Sequence, residues 1–179
     1  MDADPEPHGS SPKATIERLF DELCLRWVRE ADVVVQQTGA LAATLVLLPR
    51  DASVDEVAIR LEGLRGNLLE RADALVAELR PQTDPHDPAG LVLMIEARLG
   101  ITEEVTNAGA THTGQGTDGA VVYVSLGQPT LRRATALKLR RSPDGTTALE
   151  RADVAAPVEH FSWLDGLLST AQGSRSPSV

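Results

Sequence analysis

Cysteine and aromatic residues are both scarce in this sequence. Two Trp, one Tyr and two Phe are its only aromatic side chains, so the core must be built mainly from Leu, Val and Ala, which bury less area per residue. A single thiol, Cys24, cannot form an intramolecular disulfide, and nothing therefore indicates an oxidising compartment. Because Cys24 lies between Phe20 and Trp27 on an apolar helix side, we expect a buried, inert thiol.

Positive charge and long apolar runs are also limited. The 17 Lys and Arg residues against 26 Asp and Glu residues leave a net charge of -9. Nucleic-acid binding depends on clustered cations that neutralise phosphates, so this balance disfavours a nucleic-acid partner. The longest apolar stretch, residues 40–48, is about half as long as a membrane-spanning helix. Residues 1–9 are acidic and have no apolar signal core. We expect a cytoplasmic protein without a membrane partner.

Residues 12–48 show the apolar spacing of a helix. Ser11 and Pro12 form a typical start, since Ser can accept from a free amide and Pro fits the first helical position. Apolar residues then recur every three or four positions, which predicts one continuous amphipathic helix. Gly39 is the weak point of this pattern, and residues 44–48 alone also fit a strand.

Residues 54–80 predict a second long helix. Their apolar side chains repeat at gaps of three and four, which is nearly a coiled-coil seam, and Ser53 with Glu56 forms a capping box at its start. The link over residues 49–52 is so short that the two helices must lie antiparallel. The spacing of Leu, Ile and Leu over residues 88–99 predicts a short third helix.

The pattern changes from helical to alternating near residue 101. It predicts strands over residues 101–106, 120–126, 131–141 and 147–153, followed by an amphipathic helix from residue 158 to residue 168. Residues 142–145, Ser-Pro-Asp-Gly, are a turn that joins the last two strands as a hairpin.

These elements together predict an α+β fold. We expect an antiparallel helical hairpin with a short helix over residues 11–100, then a four-stranded antiparallel meander with a C-terminal helix over residues 101–172. Residues 1–10 and 173–179 are polar and are predicted to be disordered tails.

One Gly-rich segment matches a nucleotide-binding motif in its letters. Residues 114–119 read Gly-Gln-Gly-Thr-Asp-Gly, but the dinucleotide fingerprint requires a helix to follow, whereas here a strand follows. We therefore favour a flexible Thr/Gly loop. A small-molecule or nucleotide site in the loop 106–119 is the alternative function.

Chemistry-bearing clusters are otherwise lacking. The four histidines have no His or Cys partner at metal-ligand spacing, and no G-x-S-x-G nucleophile motif occurs. We favour an exposed loop position for His112, and read Asp84-Pro85-His86-Asp87 as a linker whose Asp87 caps the third helix. An enzyme using His112 or His160 with nearby carboxylates is a weaker alternative. The prediction is no cofactor, no metal and no enzymatic activity.

Residues 131–141 carry five cations. On a strand Arg132, Lys138 and Arg140 share one face. We favour a solvated edge strand, whose charges discourage aggregation, over a docking surface for an anionic partner.

Residues 118–124, Asp-Gly-Ala-Val-Val-Tyr-Val, are followed by Leu-Arg-Arg-Ala at residues 131–134. These two stretches resemble a shortened form of the β-domain of GrpE-type nucleotide exchange factors. That family also places long dimerising helices before a small β-domain, so the resemblance implies a co-chaperone-like interaction protein. No functional residue is carried over from it.

The sequence therefore predicts a non-enzymatic interaction or adaptor protein that self-associates through its amphipathic helices as a homodimer. The predicted interaction residues lie on the two long helices and on the basic strand: Ile16, Phe20, Leu23, Trp27, Leu61, Leu64, Leu68, Arg132, Lys138 and Arg140.

Overall fold

A computed structural model describes residues 11–61, 71–99, 102–106, 109–113, 117–154 and 156–168, with side chains throughout except in 102–106 and 109–113. Its helices and strands in chain order are α1 (Pro12–Thr38), β1 (Thr44–Leu48), β2 (Val57–Arg60), α2 (Ala72–Thr83), β3 (Gly90–Leu99), β4 (Thr102–Thr106), β5 (Gly109–Thr113), β6 (Thr117–Leu126), β7 (Leu131–Arg141) and β8 (Thr147–Arg151). Short 3-10 turns follow α2 at Asp84–His86 and end the described chain at Val158–His160 and Ser162–Leu167.

The described strands form one large sheet and one separate hairpin. Six strands pair antiparallel in the order β2-β1-β3-β6-β7-β8, so the sheet combines strands from both halves of the chain. β4 pairs only with β5, between β3 and β6 in sequence. The mixed α+β composition is confirmed, but the predicted helical hairpin followed by a four-stranded meander is wrong. The GrpE-like order of long helices before a small β-domain is likewise not the arrangement found.

The first helix begins where the sequence predicts but ends ten residues earlier than expected, at Thr38 instead of Leu48. Ser11 makes no side-chain capping bond at its start. At its end Gly39 adopts a φ of 77°, and its N–H donates to the Val35 carbonyl oxygen at 2.8 Å. A left-handed glycine of this kind ends a helix because residues with a Cβ rarely adopt that conformation. The predicted continuation of the helix is therefore wrong, and its last segment forms β1.

β3 occupies the segment that was predicted as a short third helix. Its residues Leu91–Met94 are all buried, with Leu91 and Leu93 on one face of the sheet and Val92 and Met94 on the other. A strand that is covered on both faces is apolar at every position rather than at alternate ones. The helix prediction was wrong because a short continuous apolar run carries no period that separates strand from helix.

The prediction of a second long helix is also wrong. Its first part is β2, which pairs with β1, and only its last part belongs to α2, while residues 62–70 lie outside the described residues. The expected capping box does not form. The Ser53 N–H donates instead to the Asp51 carboxylate at 2.9 Å, and Glu56 pairs with Arg26 on α1. The predicted coiled-coil seam is therefore not continuous.

The second half of the chain follows the prediction more closely. β7 has the predicted bounds, and it forms the expected hairpin with β8, with Gly145 at a φ of 87° in the turn. β4 is present but pairs outside the main sheet. The expected C-terminal helix is replaced by the two short 3-10 turns. Phe161, which lies between the turns, and Leu164 and Leu167 in the second turn are buried.

The core has two layers, one on each face of the sheet. α1 covers one face with Phe20, Cys24, Trp27, Ala31 and Val35. α2 and the C-terminal 3-10 turns cover the other face, where the Tyr123 and Phe161 rings lie 5.5 Å apart. The predicted disordered tails fall outside the described residues. Within the ranges described above, no helix has the length and apolar character needed to cross a membrane.

Candidate functional site

The predicted interaction residues of the helices do not share one surface. Phe20 and Trp27 are each only 5% exposed because they pack against the sheet, so they belong to the core of a single chain. Leu61 is buried in the layer on the other face. Ile16 is 40% exposed and Leu23 is half-buried. Leu64 and Leu68 lie outside the described residues.

The predicted basic residues of β7 are divided between two environments. Arg132 pairs with Asp165 in the C-terminal 3-10 turn, whereas Lys138 is exposed and Arg140 pairs with Glu150 at 3.1 Å. β7 lies between β6 and β8, so it is not the edge strand that the sequence suggested. The C-terminal turns pack on the face of β7 that carries Arg132. The solvated basic surface of this face is therefore at the other end of β7, where Lys138 and Arg140 are exposed.

An open groove of about 490 Å³ lies between α1 and the loop that joins β1 to β2. The residues that line it are predominantly apolar: Leu23, Arg26, Leu48, Pro49, Ala52, Val54, Asp55, Glu56, Ala89 and Leu126. α1 supplies one wall, the loop supplies the other, and the ends of β1 and β6 supply the floor.

A side-chain bridge holds the two walls of this groove together. The Arg26 guanidinium on α1 donates from Nη1 and Nη2 to the two carboxylate oxygens of Glu56 at 2.8 and 2.6 Å. The same guanidinium lies 5.0 Å from the centre of the Trp27 ring, which is within the range of a cation–π contact. A bidentate pair of this kind fixes orientation as well as distance, so it positions the loop relative to the helix.

Exposed apolar side chains continue the groove on both sides. On α1, Ile16 and Leu19 lie along the same stripe as Leu23, at spacings of three and four residues, and Leu19 is 54% exposed. We call Ile16 and Leu19 the ridge. On the opposite wall Val54 is 55% exposed. The ridge and the groove therefore form one continuous apolar surface.

A second, smaller cavity of about 280 Å³ adjoins the groove, since Ala89 and Leu126 line both. Its lining combines apolar and charged residues: Arg50, Pro88, Ala89, Leu126, Gly127, Gln128, Thr130, Arg132, Asp165 and Leu168. The turn between β6 and β7 forms one side of it, and the C-terminal turn carrying Asp165 forms another. We call it the arginine cavity.

Asp165 is the centre of a hydrogen-bonded cluster in the arginine cavity. The buried Ser125 hydroxyl donates to its Oδ1 at 2.7 Å, and the Tyr123 hydroxyl donates to the same oxygen at 3.4 Å. Arg132 pairs with the other carboxylate oxygen. Burial, together with the Asp165 charge, raises the pKa of the Tyr123 hydroxyl to about 12, so this group remains a hydrogen-bond donor at neutral pH.

Cys24 matches its prediction as a buried free thiol. Burial raises its pKa to about 11, so the reactive thiolate form is suppressed at neutral pH. In the described part of the chain, no group of three or more His, Cys, Asp or Glu residues is placed to hold a metal ion.

The Gly-rich segment is only partly a loop. Residues 109–113, including His112, form β5, and Gly119 lies in β6, where a Cβ would overlap the backbone carbonyl oxygen of Leu137. Gly119 thus permits close packing of strands. Gly114 and Gly116 lie outside the described residues.

The expected Asp-rich linker is also different from its prediction. Asp84–His86 form a 3-10 turn, and no helix follows that Asp87 could cap. Asp87 instead accepts from Arg50 at 3.0 Å, beside the arginine cavity.

Sequence reasoning missed several residues of these surfaces. Leu19 was not among the apolar residues used to predict the first helix, and Val54 was predicted to begin a second helix rather than to lie in a loop beside a groove. Arg50, Arg132 and Asp165 are distant from one another in sequence and come together only when the sheet forms. The predicted residues that lie on these surfaces are Ile16 on the ridge, Leu23 in the groove and Arg132 in the arginine cavity.

Models of protein families, curated proteins and solved structures were each compared with the chain, and none of the three comparisons found a match.

Proposed function

We propose that this protein is a non-enzymatic interaction module that forms a homodimer through the groove beside α1. The observation that supports this proposal is the position of an exposed apolar ridge next to an open apolar groove of about 490 Å³ on the same surface. Exposed apolar surface that is continuous over several residues is typical of protein-binding sites.

A second copy of the chain is the occupant that this surface fits. In a dimer with twofold symmetry the same patch of both copies meets, so the patch must be complementary to itself. A ridge and a groove that lie side by side meet this requirement. A twofold axis between them places Ile16 and Leu19 of each copy against Leu23 and Val54 of the other.

The charges around this surface favour the same arrangement. A net charge of -9 opposes self-association of the whole chain. Near the ridge, however, the charges are compensated in pairs, Lys13 with Glu17 at 3.9 Å and Arg18 with Glu22 at 3.8 Å. Arg26 and Glu56 neutralise each other at the groove, whose lining includes one further carboxylate, Asp55. Repulsion between two copies is therefore weaker here than the net charge of the chain implies.

The proposed dimer surface includes Ile16 and Leu23 from the predicted interaction residues of the first helix, but not Phe20 and Trp27, which are buried against the sheet. A dimer through the buried stripe would require α1 to leave the sheet and expose its core residues. The exposed stripe requires no such rearrangement. The alternative of a ligand site in residues 106–119 stays a prediction.

The test is the molar mass in solution of the full chain and of two charge variants. Leu19→Glu places a carboxylate on the ridge, whereas Leu25→Glu places the same group at an equally exposed leucine, 52% against 54%. At 3.6 residues per turn, Leu25 lies about 120° around α1 from Leu19. We expect the dimer dissociation constant to rise at least about tenfold for Leu19→Glu and to remain unchanged for Leu25→Glu.

Light scattering and sedimentation velocity at micromolar concentration measure these outcomes. Circular dichroism confirms that both variants are folded, which is expected because both leucines are exposed. A wild-type chain that is strictly monomeric contradicts the proposal. Equal weakening of the dimer by both variants contradicts the assignment of the ridge.

A further inference from the structure

We propose that the arginine cavity binds a small organic carboxylate, with the guanidinium groups of Arg132 and Arg50 holding its charged end. This inference is independent of the proposed dimer, because it concerns the adjoining cavity and not the ridge.

The charge of the lining is the first argument. Two of the three charged side chains that line the arginine cavity, Arg50 and Arg132, are positive, and the third, Asp165, is negative. Asp87 pairs with Arg50 from beside the cavity, so each guanidinium has one carboxylate partner. The cavity therefore presents two guanidinium groups in a chain whose net charge is -9, and the planar fork of a guanidinium matches a carboxylate.

The arginines retain donors for a ligand. Arg132 pairs with Asp165 through Nη2, and Arg50 pairs with Asp87 through Nε and Nη2. A guanidinium has five N–H donors in a fixed plane, so each arginine can keep its carboxylate partner and still donate to an anion.

The contacts of Asp165 fix the position of the Arg132 side chain beside the cavity. Asp165 accepts from the buried Ser125 hydroxyl at 2.7 Å and from Tyr123 at 3.4 Å, which fixes its carboxylate against the sheet. Arg132 is in turn held by that fixed carboxylate. Preorganised donors bind an anion more tightly because less conformational entropy is lost on binding.

The remaining lining determines the rest of the ligand. Pro88, Ala89, Leu126 and Leu168 supply apolar walls, while Gln128 and Thr130 supply neutral polar groups. The volume of about 280 Å³ is just below the range of about 300–1,000 Å³ that is typical of sites for drug-sized ligands. A monocarboxylate with a short apolar body, such as a single ring or a short chain, matches both features.

Titration of the full-length protein with benzoate and hexanoate tests this inference. The readout is the change in amide chemical shifts in NMR spectra of isotope-labelled protein, with benzamide as a neutral probe of the same shape as benzoate. We expect saturable shifts with at least one carboxylate at residues of the arginine cavity, and none with benzamide at the same concentrations.

Three variants assign the binding to the two arginines. Arg50→Gln removes one guanidinium from a solvent-exposed ion pair, so the fold is expected to remain intact. Arg132→Lys keeps the charge beside Asp165 but removes the planar fork. Each is expected to weaken binding about tenfold or more, as loss of a charge-assisted hydrogen bond does. Arg140→Gln, on the same face of β7 but outside the cavity, is the matched control and is expected to have no effect.

Four outcomes would overturn the inference. They are the absence of shifts with both carboxylates, equal shifts with benzamide, tighter binding of inorganic phosphate than of either carboxylate, and equal weakening by Arg140→Gln. Because the dimer is measured separately with Leu19→Glu, failure of this test leaves the proposed function unaffected.

Discussion

Two glycines in the centre of the sheet show how closely its strands and side chains approach. A Cβ at Gly119 would overlap the Leu137 carbonyl oxygen, and one at Gly90 would lie 2.5 Å from the Leu126 side chain and 2.8 Å from the Ser125 carbonyl oxygen. A backbone oxygen inside a strand cannot move without breaking the ladder. The backbone contact is closer at Gly119, so the constraint there is the harder one.

The first residue-scale prediction is that Gly119→Ala destabilises the protein by about 1–3 kcal/mol, the usual range for overpacking a well-packed interior. Gly127→Ala is the control, because the nearest atom to its added Cβ is the Ala89 carbonyl oxygen at 3.6 Å, an ordinary contact. Urea unfolding of both variants measures the free energy of unfolding. Equal stability of the two variants would show that the strands can separate to accept the methyl group.

The second residue-scale prediction concerns alkaline pH. Burial raises the pKa of the Cys24 thiol from 9.0 to about 11, and that of the Tyr123 hydroxyl from 10.0 to about 12. Both groups are neutral when protonated, so the unfolded chain releases these protons at lower pH than the native chain. Their contribution to stability is complete below pH 9 and decreases as the pH rises towards the native values.

Cys24→Ala separates the contribution of the thiol from that of the other groups. We expect its free energy of unfolding to fall less than that of the wild type between pH 9 and about 11, because one of the two linked groups is gone. Urea unfolding in the presence of a reducing agent measures this difference. A decline of the same size in both proteins would contradict the assignment to Cys24.

At the scale of elements, α1 protects an edge of the sheet as well as covering its face. β8 is an edge strand, and edge strands with free backbone amides are sites of unwanted pairing between chains. The Leu149 N–H in β8 donates to the Asp32 carboxylate of α1 at 2.7 Å, and Gln36 donates to the other oxygen of Asp32 at the same distance. The helix thus satisfies a backbone donor that faces away from the sheet.

We therefore predict that Asp32→Ala lowers the free energy of unfolding by about 1.5–3 kcal/mol, the value typical of a hydrogen bond to a charged group. Faster hydrogen exchange of the Leu149 amide is the specific sign of the lost contact. Glu30→Ala is the matched control, since Glu30 is an exposed acidic residue two positions earlier on the same helix. If both variants exchange Leu149 at the wild-type rate, the edge is protected by other means.

At the scale of the whole molecule, the elements that were predicted correctly are those whose own short segment of sequence carries a signal for the structure. The start of α1, the bounds of β7 and the turn at Gly145 each carry local signals, namely a proline start, an alternating pattern and a turn sequence. Helix α1 has a polar and an apolar face, so its period is visible over residues 12–38. These features depend on short segments of sequence and can be identified from them.

The errors occur where the surroundings of a segment, rather than its own pattern, decide its structure. β1 and β3 are covered on both faces, so their uniform apolar runs fit helices as well as strands. The two cavities were not predicted for a related reason. Arg50, Arg132 and Asp165 meet only through the order of strands in the sheet, which no local pattern specifies.

The double covering of the central strands also restricts how this protein can meet others. Where α1 lies on one side of β6 and the C-terminal turns lie on the other, the sheet offers no bare plane on which a flat partner could rest. Among the described residues, recognition is left to the outer side of a helix, the rim of a strand and the hollows where the layers end. A partner that uses these surfaces must therefore present a ridge, a strand or a small group rather than a flat face.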